Sequence, residues 1–363
     1  MFGNETKAIG TASIFSAREI EKWQKALEHF PVRDIYFTSD YHRLCEIDAD
    51  REARAYFSTD NGESLFFPFL LGVIPGSEFK GGQLYDLETC YGYSGPLCTT
   101  NDQKVLKRLW EPFLHFCDES RIVAGFSRCH PILATQGYCA ETTKIVFNRD
   151  TIYVNLDCTQ EELWNSYPSN QRTRIRKATA SGLSFRQAKS NEVESVFLPM
   201  YNANLDRMQA SSRYYFSEQY FDFLANEFKD FIDLLVVEKD GLPIASAIFL
   251  LGDGVYHYHL GASLREYTQY RPNNLLFHEA GRLGISYGMK KMHLGGGRSV
   301  ADDDSLFQFK SSFSQLRVPF YLGYSIFQNE LYDSLCQDWL LKTGCKTPPS
   351  DLLYYRLPVT KGS

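Results

Sequence analysis

The chain has 363 residues, 44% hydrophobic and 23% charged, which predicts a globular protein of two domains. Its net charge of −6 excludes a protein that coats nucleic acid through bulk basicity, so no DNA partner is expected. Nine cysteines without a CxxC pair exclude a spaced zinc site or a disulfide framework, and they fit reduced cytosolic thiols.

Residues 1–20 hold no apolar signal core, which predicts a cytoplasmic protein. Residues 17–30 alternate apolar and charged positions at helical spacing, and Pro31 ends the pattern. Strands are predicted over 53–58 and 64–74, joined at Asp60-Asn61-Gly62 because Asn and Gly tolerate positive φ. The second of these contains the longest apolar run, 65–74. It is too short for a membrane span and contains Pro68. A segment dense in Tyr and Gly, 86–96, precedes a helix from Asn101 to Glu119, and 121–127 forms a strand. Two strands, 144–147 and 151–157, are expected to pair around Asn148-Arg149-Asp150. A helical entry spans 159–228: a Thr159/Glu162 capping box, a helix from Ser169 to Ala180, and helices over 192–208 and 217–228. Strands follow at 232–238, 243–251 and 255–260, then a helix over 274–287 closed by Gly288, then a strand at 290–294.

Hairpin, Tyr/Gly-bearing segment, helix and strand thus occur twice. This predicts a duplicated α/β unit with mixed sheets: an N-terminal domain at 1–155, a C-terminal domain at 156–345, and a tail at 346–363 that packs back on the first domain.

Candidate functional residues stand out by type and spacing. Residues 163–191 contain Arg172, Arg174, Arg176, Lys177, Arg186 and Lys189 and no acid, a basic island on an acidic chain. Arg172 and Arg176 share one helix face, and Arg174 and Lys177 share another, suiting a phosphate-bearing acceptor or donor. His257 and His259 alternate on a strand and point to one face. Without a third ligand they do not make a metal site, whereas His259 can serve as a general base. Gly295-Gly296-Gly297 offers close backbone approach to a ligand. Tyr91 and Tyr93 share a face and are candidates to line an acceptor cleft.

Five segments in order resemble the FemAB family of two-domain GNAT-like acyltransferases: Tyr91-Gly92-Tyr93-Ser94-Gly95-Pro96; the basic run 172–178; Pro272-Asn273-Asn274-Leu275-Leu276; Gly288 with Leu294-Gly295-Gly296-Gly297; and Phe309-Lys310 with Phe313. The resemblance implies two tandem GNAT-like domains and transfer of an acyl group to an amine. The donor would be an acyl-CoA-like thioester and the acceptor a small molecule or cell-envelope precursor, with no bound cofactor. The resemblance also admits an aminoacyl-tRNA-dependent enzyme that builds peptidoglycan bridges, and a catalytically silent binding protein of the same fold. It places Lys310 in the active site of the second domain. It sets residues 268–274, including Arg271, Asn273 and Asn274, where a GNAT pyrophosphate loop lies, with Gly296 and Gly297 beside the donor. Asn and Pro replace that loop's usual glycines.

Overall fold

The computed structural model describes residues 7–9, 12–77, 82–211, 214–299, 301 and 303–359; Asp302 of the acidic run before Lys310 and residues 360–363 of the tail lie outside them. The chain forms two compact units. The first takes the described residues of Met1–Pro31, Tyr36–Asn148 and Phe320–Ser363, and the second takes Val32–Ile35 and Arg149–Pro319.

In the first unit, strands Lys7–Ile9, Ala12–Ser16, Glu52–Asp60, Glu63–Val73 and Tyr85–Glu88 follow one another as antiparallel neighbours. The hairpin between the third and fourth turns on Asn61 and Gly62, at φ +50° and +88°. Ile122–Arg128 then runs parallel to Tyr85–Glu88, with Asp86 opposite Ala124. A parallel neighbour requires a crossover, and helix Gln103–Glu119 supplies it. Asp102, one residue after the expected Asn101, caps this helix by accepting from the Lys104 amide. The helix buries Leu106, Leu109, Trp110, Phe113 and Phe116 in one core with Tyr56, Phe67 and Phe69. Each such side chain contributes roughly 1.5–3 kcal/mol on leaving water.

Residues 320–345, allotted from the sequence to the C-terminal domain, belong to this first unit. Residues 322–326 of strand Arg317–Ile326 pair antiparallel with Ile122–Arg128, so they share its core. The last turn of the chain meets the same sheet through a buried ionic cluster. The Asp86 carboxylate, fully buried, accepts from Arg51 at 2.7 Å, Arg356 at 2.6 Å and the Tyr355 hydroxyl at 3.0 Å.

In the second unit the sheet order is residues 152–155 of strand Lys144–Asn155, then Lys291–Gly295, Val255–Ser263, Leu242–Leu251, Ile232–Lys239 and Leu183–Ala188. A tight turn at Asp240-Gly241, both at positive φ, repeats the hairpin device of the first unit. Val255–Ser263 and Lys291–Gly295 are parallel, and helix Pro272–Ser286 joins them. Each unit thus has a hairpin followed by a helix-bridged parallel pair. The short segment Val32–Ile35 belongs here because the Asp34 carboxylate meets His257 Nε2 at 2.8 Å, both fully enclosed.

The turn expected at Asn148-Arg149-Asp150 is not a turn. Lys144–Asn155 is one continuous strand of 12 residues despite the local turn preference of Asn and Asp, and its residues 152–155 pair with Lys291–Gly295. Strands Ala12–Ser16, Leu183–Ala188 and Arg317–Ile326 also form where none was expected.

Candidate active site

The parallel ladder between Val255–Ser263 and Lys291–Gly295 stops at the His257–His293 pair. Each strand stays in the sheet beyond that point through its other neighbour: Tyr258 pairs with Phe249, and Gly295 with Ile152. The two strands therefore part like a fork.

Lys310 lies at the fork. Its Nζ donates to Gly296 O at 2.7 Å, just past the end of one strand, and stands 5.3 Å from the centre of the Tyr258 ring, just past the last paired residue of the other. The side chain is 5% exposed. Burial pushes its ammonium down to about 7; Asp304 works against that shift, and Arg149 and Arg298 add to it. Lys310 rides on the short helix Ser305–Ser311, whose Phe309 packs with Phe277 and Phe313 against the unit's core.

The loop 295–299 is held by two charged side chains that the sequence alone does not single out. Arg149 donates to Gly297 O at 2.7 Å and to Ser299 O at 3.4 Å. Asp304 caps the Lys310 helix by accepting from the Phe307 amide, and it also accepts from the amides of Arg298 and Ser299, all at 2.9 Å. Burial opposes its charge, yet these amides hold its carboxyl below the ordinary range. The glycines are required here. A Cβ on Gly296 would sit 2.7 Å from Arg149 Cδ, and one on Gly297 would sit 2.5 Å from Asp304 Oδ1. An Asp three residues before an apolar helical position is a readable cap signal for Asp304. Arg149, inside a strand, carries no such signal.

The expected donor loop is differently built. Arg265–Tyr270 is a 3-10 turn, Arg271 adopts φ +63°, and Pro272 opens the helix without an amide. The Asn274 amide donates to Arg271 O at 3.0 Å and that of Arg271 to Thr268 O at 3.0 Å, so amides that would cradle a pyrophosphate are engaged within the turn. The Asn273 side chain donates to Ser263 Oγ and that of Asn274 to the buried Gln171. Asn274 is a tie between helices.

His259 is also buried. Its Nε2 shares a 2.7 Å hydrogen bond with the Tyr220 hydroxyl, and burial, with His257 next, lowers it to about 3, which makes a weak base. Of the basic island, Arg172 donates to Tyr167 O and Asn165 O, locking the entry to helix Ser169–Ala180. Arg176 stacks over Trp164 at 5.1 Å, and Lys177 is exposed. Arg186 is spent on Glu192 and Glu238. Tyr91 and Tyr93 lie in the first unit. Tyr91 is exposed, and Tyr93 meets Tyr36 edge-on at 5.7 Å.

Residues 166–311 match the family model described as an acetyltransferase (GNAT) domain. The crystal structure of FemX is similar to the chain at a TM-score of 0.67 and 14% identity, covering 91% of this chain and 99% of that one. The C-terminal domain (DUF2156) of a putative lysylphosphatidylglycerol synthetase from Agrobacterium fabrum is similar at 0.54 and 14%, covering 90% and 97%. The structure of L-PGS from Bacillus licheniformis is similar at 0.53 and 14%, covering 84% and 91%. No curated protein matches in sequence. Among the described residues no helix is long and apolar enough to cross a membrane. In fold the chain is similar to FemX over most of its length, and its residues 166–311 carry the match to the acetyltransferase (GNAT) domain model.

Proposed function

We propose that the protein transfers an acyl group to an amine at the Lys310 fork of the second unit. The observation that carries this reading is a buried lysine amine, lowered to about 7, anchored where two parallel strands separate. Acyl transfer needs a proton acceptor for the attacking amine and donors for the carbonyl oxygen. An amine that is largely neutral just above pH 7 can take the first of these roles. The acceptor nitrogen attacks the donor carbonyl and a C–N bond forms. The nitrogen's proton passes to Lys310 Nζ, the bond to the donor's sulfur or oxygen breaks, and the leaving group recovers the proton. His259 does not share this task, since its ring is enclosed and only weakly basic.

The GNAT domain match supports an acyl-CoA-like thioester as donor. One observation favours the second donor class, an aminoacyl ester on tRNA: the Arg271 and Asn274 amides, at the start of helix Pro272–Ser286, are engaged within their own turn. The names of structural neighbours, FemX and lysylphosphatidylglycerol synthetases, support an acceptor among cell-envelope precursors. On either donor, Arg176 and Lys177, exposed on helix Ser169–Ala180 of the second unit, are cations suited to an anionic acceptor.

The test offers acetyl-CoA and aminoacyl-tRNA separately, with amino sugars, amino acids and UDP-linked peptide precursors as acceptors. Wild-type protein should transfer from one donor class. Lys310→Ala should keep its circular dichroism and lose on the order of 100-fold or more in turnover. Wild-type turnover in folded Lys310→Ala removes Lys310 from the reaction, and no transfer from either donor leaves a silent binding protein of this fold.

A further inference from the structure

Gly296 O is the anchor of the Lys310 amine, and it lies in a run of three glycines. Glycine backbone is the least constrained of any residue type, so the run cannot by itself aim a carbonyl. Two side chains from different elements supply the constraint. Arg149, from strand Lys144–Asn155, spans two nearby carbonyls, Gly297 O and Ser299 O, and its stem covers Gly296. Both bonds leave one nitrogen, Nη1, whose two hydrogens the planar guanidinium holds at a fixed angle. Asp304, from the cap of the Lys310 helix, collects the amides of Arg298 and Ser299 together with the Ser299 hydroxyl. Carbonyls are thus fixed by a cation and amides by an anion within one five-residue loop.

We propose that Arg149 and Asp304 are positioning residues for the Lys310 amine, gripping the 295–299 loop by opposite backbone groups and presenting opposite charges to that amine. The inference rests on the reading of Lys310 as the reacting group, but its geometry stands apart from any substrate. Among the described residues, the groups that face Lys310 are Asp304 on its own helix's cap, Arg149 on the neighbouring strand, Arg298 on the loop and the Tyr258 ring on the other arm of the fork. Asp304 favours the charged amine, and Arg149 and Arg298 favour the neutral one. The loop therefore sets both where the nitrogen sits and when it sheds its proton.

The two residues predict shifts of opposite sign, and this separates positioning charge from mere support. If the variants only loosened the loop, water would reach the amine and its titration midpoint would rise in both, because burial is the largest cause of the depression. The experiment is an NMR titration of the intact protein with labelled lysine side chains, in which the Lys310 signal is identified by its loss in Lys310→Met. Arg149→Met should move the Lys310 midpoint upward, and Asp304→Asn, which retains a capping side chain, should move it downward, each by on the order of one pH unit. If Arg149→Met does not fold, Arg149→Gln keeps an N–H donor for the carbonyls, removes the charge, and should give the same upward shift. Unmoved midpoints, or upward movement in both variants, overturn the proposal. Where transfer activity is measurable, both variants should shift the pH profile of kcat in the same directions as the midpoint. The titration needs no substrate, so the midpoints answer the question even if the protein transfers no acyl group.

Discussion

Lys310 is the residue at which stability and the proposed chemistry oppose each other. A lysine folded with its amine at about 7, against 10.5 unperturbed, binds its proton less tightly in the folded state than in the unfolded one. Between pH 7 and 10.5 the unfolded chain holds a proton that the folded chain has released, so stability rises with pH across that window. Below pH 7 both states are protonated and the full cost of the buried charge is felt. Lys310→Met should therefore gain most in melting temperature over wild type near pH 6, and the gain should shrink toward pH 10. A gain independent of pH would show that the amine is not buried in its charged form. In a transfer assay the acid limb of kcat/KM should rise through pH 7 as Lys310 sheds its proton, and a rate that falls through the same range contradicts the proton-acceptor role. In the sequence, Lys310 was marked only by the resemblance of Phe309-Lys310 with Phe313 to a FemAB-family motif. That resemblance could not show that Gly296 O, 14 positions away, would anchor the amine. His259 had the right chemistry and the wrong surroundings: only the fold reveals the Tyr220 hydroxyl and the burial that weaken it as a base.

Among the elements, those defined by strong local signals were readable. The Asn61-Gly62 and Asp240-Gly241 turns, the Thr159/Glu162 capping box and the amphipathic helix Gln103–Glu119 all rest on residues a few positions apart. Strand Lys144–Asn155 reads as two in the sequence, because its centre carries Asn and Asp, while the partner of its residues 152–155, Lys291–Gly295, lies well over a hundred positions later. The fork was equally hidden, since the end of a ladder at His257–His293 leaves no mark in either strand's own pattern. The glycine loop offers an element-scale test. Gly297→Ala places a Cβ 2.5 Å from Asp304 Oδ1. The cap must yield, so the variant should lose about 1–2 kcal/mol of stability in denaturant unfolding, with turnover falling more steeply than stability. An unchanged unfolding midpoint would mean that the carboxylate can move aside freely.

On the scale of the whole chain, the repeat of hairpin and helix-bridged parallel pair was legible as an order of elements, while the allotment of residues 320–345 was not. Strand Arg317–Ile326 closes onto Ile122–Arg128, nearly two hundred positions earlier, and no periodicity announces that partnership. The Asp86 cluster extends the same long-range logic to the final turn. Arg356→Ala removes one of the two guanidinium groups on a fully buried carboxylate and should cost about 1–3 kcal/mol in the unfolding of the first unit. No measurable loss would mark Arg51 as sufficient. The first unit is thus assembled from segments on both sides of Arg149–Pro319. On the ribosome, the nascent polypeptide must emit the whole of that intervening stretch before the strand at 317–326 and the guanidinium of Arg356 become available. The later-numbered unit is accordingly the first whose parts have all left the exit tunnel, and a stalled or prematurely terminated translation product would carry a complete fork and an unfinished first unit.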